Sequence, residues 1–568
     1  MCGIAGIVER DQRKPISSER LLKMVRVLTH RGPDDEGYVG LPGVGLAMRR
    51  LAIVDVDGGH QPFKSEDGEI HLVANGEIYN HLELRKMLIA HGHCFRSESD
   101  IEVLVHAYEQ WGTSFLERVH GMFAVALWDG RQRIFFAARD RAGEKPLYYA
   151  ATHSTLIFAS EIKGILASGM VERDVDLEAL DQFLTYEYVI TPRTIFSKIR
   201  RLPAAHYLVY RDGQLETCRY WDAAAVAPRH WKEDEAAEAV REVFAEAVSR
   251  QMMSDVPLGA FLSGGIDSSA VVAMMVEASG GDGSAVNTFS MGFADGSYNE
   301  LPYARTVASR FKTTHREGTV EPDLRELFDQ LIVHLDEPFA DVSLFPTYMV
   351  SKMARQHVTV ALSGDGGDEL FGGYERYAVG RRIARFVDLM PRSVWRNLSK
   401  ASNNIFAYLL DPLFSSLPKK YRWTGLTERG LALAGTKDCN LFDVYGYLIS
   451  HWPAPDQLVY GVDEYPGLFY KEPPASLYSD YISAFQYIDL QFDILPILTL
   501  ALFVNLLEIF NLFPQIIYRV QEKAKSYIYF VISKTFFQIL AVLFFLEYLN
   551  LVFLDPGGMV FLTSVSSP

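Results

Sequence analysis

Cysteine is scarce and scattered. The four in 568 residues are Cys2, Cys94, Cys218 and Cys439, with no C-x-x-C pair among them. That spacing argues against a disulfide framework or a cysteine zinc site and predicts a reducing, cytoplasmic setting. Long basic runs are also missing, and 55 basic against 71 acidic residues leave a net charge of −16. Nucleic acid is therefore not expected as a partner. The first 20 residues hold Glu9, Arg10, Asp11, Arg13, Lys14, Glu19 and Arg20 and no long apolar stretch, which excludes a signal peptide there. The C-terminal end lacks charge instead: from Ala484 to Pro568 there are 10 charged residues in 85, with Arg519 the only arginine. Two apolar runs near the length of a membrane span stand in it, Ile494 to Pro514 and Phe536 to Leu554. Each contains one acid, Glu508 and Glu547, which is costly in lipid.

What is present starts at the second residue. The chain opens Met1-Cys2-Gly3-Ile4-Ala5-Gly6, so removal of Met1 leaves an N-terminal cysteine. One residue then carries a nucleophilic thiol and a free α-amine able to take its proton. The length exceeds a single core and predicts two or three domains. They are expected at 2–190, 210–480 and 484–568.

Residues 1 to about 165 alternate short apolar runs with turn signals. Strands are expected at Gly3 to Val8, His71 to Ala74, Gly121 to Trp128 and Arg133 to Ala138, and helices at Leu82 to His91 and Asp100 to Trp111. Stacked sheets flanked by helices follow. Polar clusters fall at the strand ends: His30-Arg31-Gly32-Pro33-Asp34-Asp35, Arg49-Arg50, Asn75-Gly76-Glu77 and Ser99-Asp100. Ser99 or Asp100 reads as a helix N-cap. A free amino acid needs an arginine fork and an acid, which Arg50 and Asp100 can supply. Asn75 and the Gly76 backbone N–H can stabilise an oxyanion.

Together with Arg139-Asp140-Arg141, Lys145-Pro146-Leu147-Tyr148-Tyr149 and Phe158-Ala159-Ser160-Glu161-Ile162-Lys163, these clusters resemble the class II glutamine amidotransferase domain, an N-terminal-nucleophile hydrolase. The resemblance implies that Cys2 attacks the glutamine side-chain amide while Asn75 and Gly76 hold the oxyanion. Arg50 and Asp100 then bind the α-groups, with Leu51, Ala52, Ile53, Val54 and Glu77 lining the pocket. One departure is Arg141-Ala142-Gly143-Glu144-Lys145, where the family usually has apolar residues in place of Ala142 and Glu144.

The middle of the chain holds a strand, Val256 to Leu262, then Ser263-Gly264-Gly265-Ile266-Asp267-Ser268-Ser269, then an apolar helix. Strand, glycine loop and helix N-terminus form a phosphate cradle. Asp267 suits a metal bridge rather than an anion. A second loop, Ser363-Gly364-Asp365-Gly366-Gly367-Asp368-Glu369, gathers three acids and calls for magnesium with a triphosphate. Asn287 to Phe293 reads as another parallel strand and its end. The first loop resembles the PP-loop ATP pyrophosphatases. A glutaminase followed by such a domain, with Tyr303-Ala304-Arg305 and Asp336-Glu337-Pro338-Phe339-Ala340-Asp341, is similar to the glutamine-hydrolysing asparagine synthetases.

That resemblance implies an α/β and α+β chain, a hydrolase sandwich followed by a parallel-sheet synthetase domain and an atypical apolar helical tail. Leu262, Met291, Ser363 and Gly364 contact ATP, and Ser263, Gly264, Gly265, Asp267, Ser268 and Ser269 cradle its phosphates. Asp267 and Asp368 hold Mg2+, and Asp365 takes the place of a glutamate used in forming the acyl-adenylate. Ammonia released at Cys2 is channelled to β-aspartyl-AMP, giving asparagine from glutamine, aspartate and ATP. A homodimer is expected from the habit of relatives.

The match fades after about residue 460, with an echo at Tyr487-Ile488-Asp489-Leu490. The expected catalytic lysine has no clear counterpart, and Lys523, Lys525 and Lys534 are the late candidates. Three readings of the tail stay open: a replaced segment, a diverged helical region, or a membrane attachment. A glutaminase with a silent synthetase half, and an amidotransferase for another carboxylate, are the competing functions.

Overall fold

The computed structural model describes residues 1–225, 232–293, 299–320, 331–332, 334–341, 343–378, 380–381, 445–446, 448–450 and 481–491. The tail after 491, with its two apolar runs and Lys523, Lys525 and Lys534, lies outside them, as does Cys439. No helix among the described residues is long and apolar enough to cross a membrane.

The strands of the first unit are β1 Gly3–Glu9, β2 Asp35–Leu41, β3 Val44–Arg50, β4 Phe63–Lys64, β5 Ile70–Ile78, β6 Gly121–Asp129, β7 Ile134–Arg139, β8 Tyr148–Ala151, β9 Thr155–Ala159, β10 Arg200–Arg201, β11 His206–Arg211 and β12 Gln214–Arg219. They make two six-stranded sheets, ordered β10-β8-β9-β1-β3-β2 and β12-β11-β7-β6-β5-β4. All their pairings are antiparallel.

Strand alternation explains why these sheets stack. Ile4 and Val8 of β1 and Val44, Leu46 and Met48 of β3 meet Val73 of β5, Ala124 and Ala126 of β6, and Phe135 and Ala137 of β7 in one core. The other faces are covered by helices. Ala5 and Ile7 pack with Met24 and Leu28, and with Ile162 and Ile165. Leu72, Ala74 and Ile78 pack with Leu84 and Leu88 and with Val103, Leu104 and Ala107. The result is helix, sheet, sheet, helix, with Cys2 at the head of a central strand. The hairpin β11–β12 belongs to this unit. We therefore place the division between the units after Arg219 rather than at 190–210.

The second unit is a parallel sheet of β13 Leu258–Phe261, β14 Asn287–Phe293, β15 Thr314–Val320 and β16 Val360–Leu362, in the order β15-β14-β13-β16. The helix Ile266–Ala278 packs Val271, Val272 and Met275 on Ala260 and Leu262, with Ala304 and Ala308 of the helix Leu301–Phe311 alongside. Both glycine loops leave the carboxyl ends of neighbouring strands, β13 and β16, where open α/β sheets bind ligands.

Candidate active site

Cys2 is held by a side chain that the sequence reading left without a role. Arg31 Nε donates to the Cys2 carbonyl at 2.9 Å. The Leu51 N–H donates to the Cys2 sulfur at 3.4 Å, and the thiol stands 3.7 Å from the Leu51 carbonyl. Burial pushes the thiol pKa up, against the pull of the nearby N-terminal ammonium. Burial also brings the Met1 ammonium down to about 5, with Arg31 and Lys145 pressing the same way. Near neutral pH the pair is thus a protonated thiol beside a free amine, the form in which the amine can act as base. Removing Met1 moves that amine onto Cys2 itself.

Alternation along β5 places the next groups. Val73 faces the core between the sheets, so Asn75 and Glu77, two and four residues on, face the same side, the side on which Cys2 packs. Asn75 is 1% exposed, yet neither atom of its side-chain amide has a hydrogen-bond partner. A buried amide with no partner is expensive in a folded core and fits a site that completes its bonds with a ligand. At Gly76 a Cβ would lie 2.2 Å from the Met122 carbonyl oxygen, so no side chain is tolerated beside Asn75.

Glu77 Oε2 is buried without a partner. Its pKa is raised well above the ordinary value by burial, then by Asp100, with Lys145 opposing. Asp100 accepts a bond from the Ile78 N–H at 2.7 Å, and burial raises its pKa to about 6. Two buried acids of this kind suit an ammonium ligand. The expected N-cap role of Asp100 is corrected: Ile101 occupies the cap of the helix Glu102–Trp111 with no side-chain bond, and Asp100 reaches β5 instead. Ser99 Oγ accepts from the Ile101 N–H at 3.2 Å.

Arg50 is also bound differently from the open fork expected. Its two terminal nitrogens donate to the carbonyls of Val54, Asp55 and Val56 at 2.7 to 3.0 Å. It shapes the Leu51, Ala52, Ile53 and Val54 loop. Asp34 accepts from the Ala52 N–H at 2.9 Å, and Asp255 of the second unit pins the loop at Ile53 O and Asp55 N. Asp140 organises the opposite wall. It accepts from the N–H groups of Phe123, Ala142, Glu144 and Lys145 at 2.9 to 3.1 Å. Lys145, 6% exposed and held at a lowered pKa by burial, points its amine at Met122 Sδ, 2.7 Å away.

An ionic bridge leads from Cys2 to the second unit. Arg31 NH1 is 2.8 Å from Glu161 Oε1, Glu161 Oε2 is 2.7 Å from Lys163 Nζ, and Lys163 Nζ is 3.0 Å from Asp336 Oδ1. Glu337 accepts from the Ile195 N–H at 3.0 Å and pairs with Arg201. Beside the bridge lies a cavity of about 250 Å³, lined from one unit by Arg31, Tyr148 and Glu161 and from the other by Leu335, Pro338 and Phe339.

In the second unit, Gly264 takes φ 88°, and a Cβ there would lie 2.6 Å from Ala304 N, so the loop is pressed onto the helix Leu301–Phe311. Ser263 Oγ and Ser268 Oγ are 2.9 Å apart, and the Gly265 N–H donates to Ser263 Oγ at 3.2 Å. The buried Ser269 hydroxyl has no partner. The two loops interlock: a Cβ on Gly364 would meet Ser268 N at 2.6 Å, and one on Gly367 would meet the Asp267 carboxyl carbon at 2.5 Å. Asp368 is raised in pKa by burial and then by the charge of Asp267. Two carboxylates repelling across a glycine loop, both oxygen donors, are a fitting donor set for Mg2+. Met291 lies two residues before the end of β14, with its sulfur 3.0 Å from where a Gly318 Cβ would stand. Ser363 opens the loop, and Asp365 is exposed on it.

The echo at 487–490 has a structural role. It lies on the helix Tyr481–Gln491. Asp489, fully buried, accepts from Tyr377 and Tyr445 and lies 3.2 Å from Arg376 NH2. Gln486 Nε2 donates to the carbonyls of Glu369 at 2.7 Å and Leu370 at 3.0 Å. The echo is therefore fastened to the second loop.

Comparison with known proteins divides the chain in the same way. The glutamine amidotransferase domain family matches residues 1–221, and the asparagine synthase family matches 239–491. A Bacillus subtilis protein named asparagine synthetase [glutamine-hydrolyzing] 1 is 37% identical over 66% of this chain and 59% of its own length. A Methanocaldococcus jannaschii protein named putative asparagine synthetase [glutamine-hydrolyzing] 2 is 38% identical over 69% of this chain and 79% of its own. A Penicillium rubens protein named amidase chyE is 32% identical over 61% of this chain and 54% of its own. The chain thus spans less than two thirds of the first and third of these relatives.

Proposed function

Because the chain belongs to the glutamine-hydrolysing asparagine synthetase family, we propose that it makes asparagine from aspartate, glutamine and ATP in the cytoplasm. The observation that carries this reading is the bridge of Arg31, Glu161, Lys163 and Asp336, which ties the Cys2 carbonyl to the unit bearing the phosphate loop.

The Cys2 thiol gives its proton to the α-amine and attacks the glutamine amide carbon. The oxyanion is received by Asn75 and the Gly76 N–H, and Asp100 and Glu77 take the α-ammonium. Ammonia leaves, and water cleaves the thioester to glutamate. In the second unit the aspartate side-chain carboxylate attacks the α-phosphorus of ATP, releasing pyrophosphate and leaving β-aspartyl-AMP. Ser263, Ser268, Ser269 and the backbone of Gly264 and Gly265 hold the phosphates, Leu262, Met291, Ser363 and Gly364 bound the nucleotide, and Asp365 stands over the acyl-adenylate. Asp267 and Asp368 would hold Mg2+, which neutralises triphosphate charge when bound. Ammonia displaces AMP to give the amide. Passage through the interdomain cavity keeps it unprotonated and raises its local concentration.

The test is one incubation of the full chain with glutamine, ATP, Mg2+ and aspartate, with glutamate, AMP and asparagine all measured. Equal yields of the three support the synthetase. Glutamate alone, with aspartate and with a panel of other carboxylates, overturns it and leaves a glutaminase. The panel is included because one relative is named an amidase.

A further inference from the structure

Away from Cys2, on the helix-covered side of the second sheet, four side chains from three segments converge. Glu66 comes from the turn between β4 and β5, and His93 from the loop after the helix His81–Ala90. His106 and Glu109 lie one turn apart on the helix Glu102–Trp111. One ligand atom from each lies within 4.8 Å of all the others. We propose that Glu66, His93, His106 and Glu109 form a binding site for a single divalent transition-metal ion, zinc by its donor set and geometry.

Three of the contacts have the spacing of neighbouring donors in a coordination shell. Bonds of about 2.0–2.1 Å at tetrahedral angles put neighbouring donor atoms about 3.4 Å apart. His93 Nδ1 is 3.3 Å from Glu66 Oε1 and 3.7 Å from Glu109 Oε2, and His106 Nδ1 is 3.3 Å from Glu66 Oε2. The two imidazoles are tilted by 54° with centroids 5.2 Å apart, so they converge rather than stack.

The second line of argument is what these groups lack. His106 is 1% exposed, and neither of its ring nitrogens makes a hydrogen bond. Glu109 Oε2 is likewise buried with no hydrogen-bond partner. A buried imidazole left open beside two carboxylates is costly, and a cation removes the cost. Two neutral imidazoles and two carboxylates balance a dication in full.

The outer atoms are arranged as metal ligands usually are. Each histidine turns Nδ1 inward and Nε2 toward an oxygen: His93 Nε2 is 3.2 Å from Gln110 Oε1, and His106 Nε2 is 3.8 Å from Glu102 Oε1. Glu66 Oε1 accepts from the Cys94 N–H at 3.0 Å, and Glu109 Oε1 is held by Arg131. The exposed Glu66 gives the ion its way in. All four donors come from the protein, so the role is structural. Glu102 also accepts from the Arg96 and Ser97 N–H groups at 2.8 Å, so the ion would brace the segment that ends at Asp100.

The test uses the full chain stripped with a chelator, dialysed, and titrated with zinc alone. Bound metal is read by elemental analysis and calorimetry. One equivalent per chain is expected in the wild type and in C2A and C94A, which remove the N-terminal thiol and the exposed thiol beside His93. Affinity should fall at least tenfold in E66Q and H93Q, both altered at the accessible side of the cluster. Cobalt in place of zinc should give the strong visible bands of a tetrahedral ion in the wild type and lose them in both variants. Zinc should raise Tm in the wild type and leave E66Q unmoved. No bound zinc in the wild type, or the same stoichiometry and affinity in E66Q and H93Q, overturns the site and leaves a metal-free cluster of histidines and glutamates.

Discussion

Arg31 donates through Nε to the Cys2 carbonyl and through NH1 to Glu161, at 2.9 and 2.8 Å. One guanidinium therefore fixes the main chain of the nucleophile and starts the bridge to the second unit. Substitution Arg31→Gln removes a charge-assisted bond worth about 1.5–3 kcal/mol. Glutamine hydrolysis should fall about 10- to 100-fold in kcat with little change in KM, because the thiol is displaced while the pocket for the α-groups remains. Steady-state kinetics on glutamine alone decide it; a pure KM effect would remove Arg31 from this role.

Loss of the thiol should be near total. Cys2→Ala leaves the Leu51 N–H without its sulfur, and nothing else in the pocket supplies a nucleophile. Hydrolysis should drop by about 10⁴-fold or more. ATP-driven amide formation with ammonium salts as nitrogen source should persist, since the thiol serves only the first unit. Retained glutamine-dependent synthesis in this variant would refute the thioester route.

The pocket should also show a pH signature. In the proposed role Asp100 would hold an ammonium only when ionised, and its pKa is raised to about 6. As pH falls through about 6 the carboxylate takes a proton, so KM for glutamine should climb below that value and stay flat above it. In Asp100→Asn the slope should vanish and KM should be about 10- to 100-fold higher at neutral pH. KM profiles of both proteins between about pH 5 and pH 8 provide the check.

Much of this was legible in the sequence because strands and loops with one tight requirement betray themselves. The β5 and β6 segments read as apolar runs, the Ser263 to Ser269 loop stands between a strand and a helix N-terminus, and the roles expected of Asn75 and Asp267 followed from side-chain chemistry and from the family resemblance. The parts that were not legible depend on distant partners. That Asp100 answers Ile78 rather than capping its own helix cannot be read from Ser99-Asp100. Arg31 looked like a strand-end charge until the fold joined it across 130 positions to Glu161, and Lys163 was only part of a motif until it met Asp336, 173 positions on. The four groups Glu66, His93, His106 and Glu109 spread over 44 residues and include no cysteine among them, so no spacing rule for metal motifs finds them. The boundary after Arg219 was hidden because β12, with mostly exposed residues, carries little hydrophobic signal.

Gly264 offers a clean separation of the two activities. At φ 88° an alanine is strained, and its Cβ would fall 2.6 Å from Ala304 N. Gly264→Ala should displace the loop and cut aspartate-dependent exchange of pyrophosphate into ATP by about 100-fold or more. Glutamine hydrolysis should be unaffected, because the loop touches none of the Cys2 pocket. Equal loss of both would mean that the loop supports the fold as a whole.

The helix Tyr481–Gln491 should depend on Asp489. Its carboxylate is fully buried and is met there by Arg376, Tyr377 and Tyr445, while Gln486 fastens the same helix to Glu369 and Leu370 of the acidic loop. Asp489→Asn leaves the Arg376 charge, buried against the rings of Tyr374 and Tyr377, without its counter-ion. Breaking such a pair costs about 3–5 kcal/mol. Because the helix is anchored to the loop that carries Asp368, the loss should appear in the second unit first. Denaturant unfolding should show an early transition, and pyrophosphate exchange should weaken while glutamine hydrolysis survives. Asp489→Asn with an unshifted transition and full exchange would mean that the helix is held by its apolar face, through Phe485 stacked on Tyr445 at 4.7 Å, and that the ionic cluster is incidental.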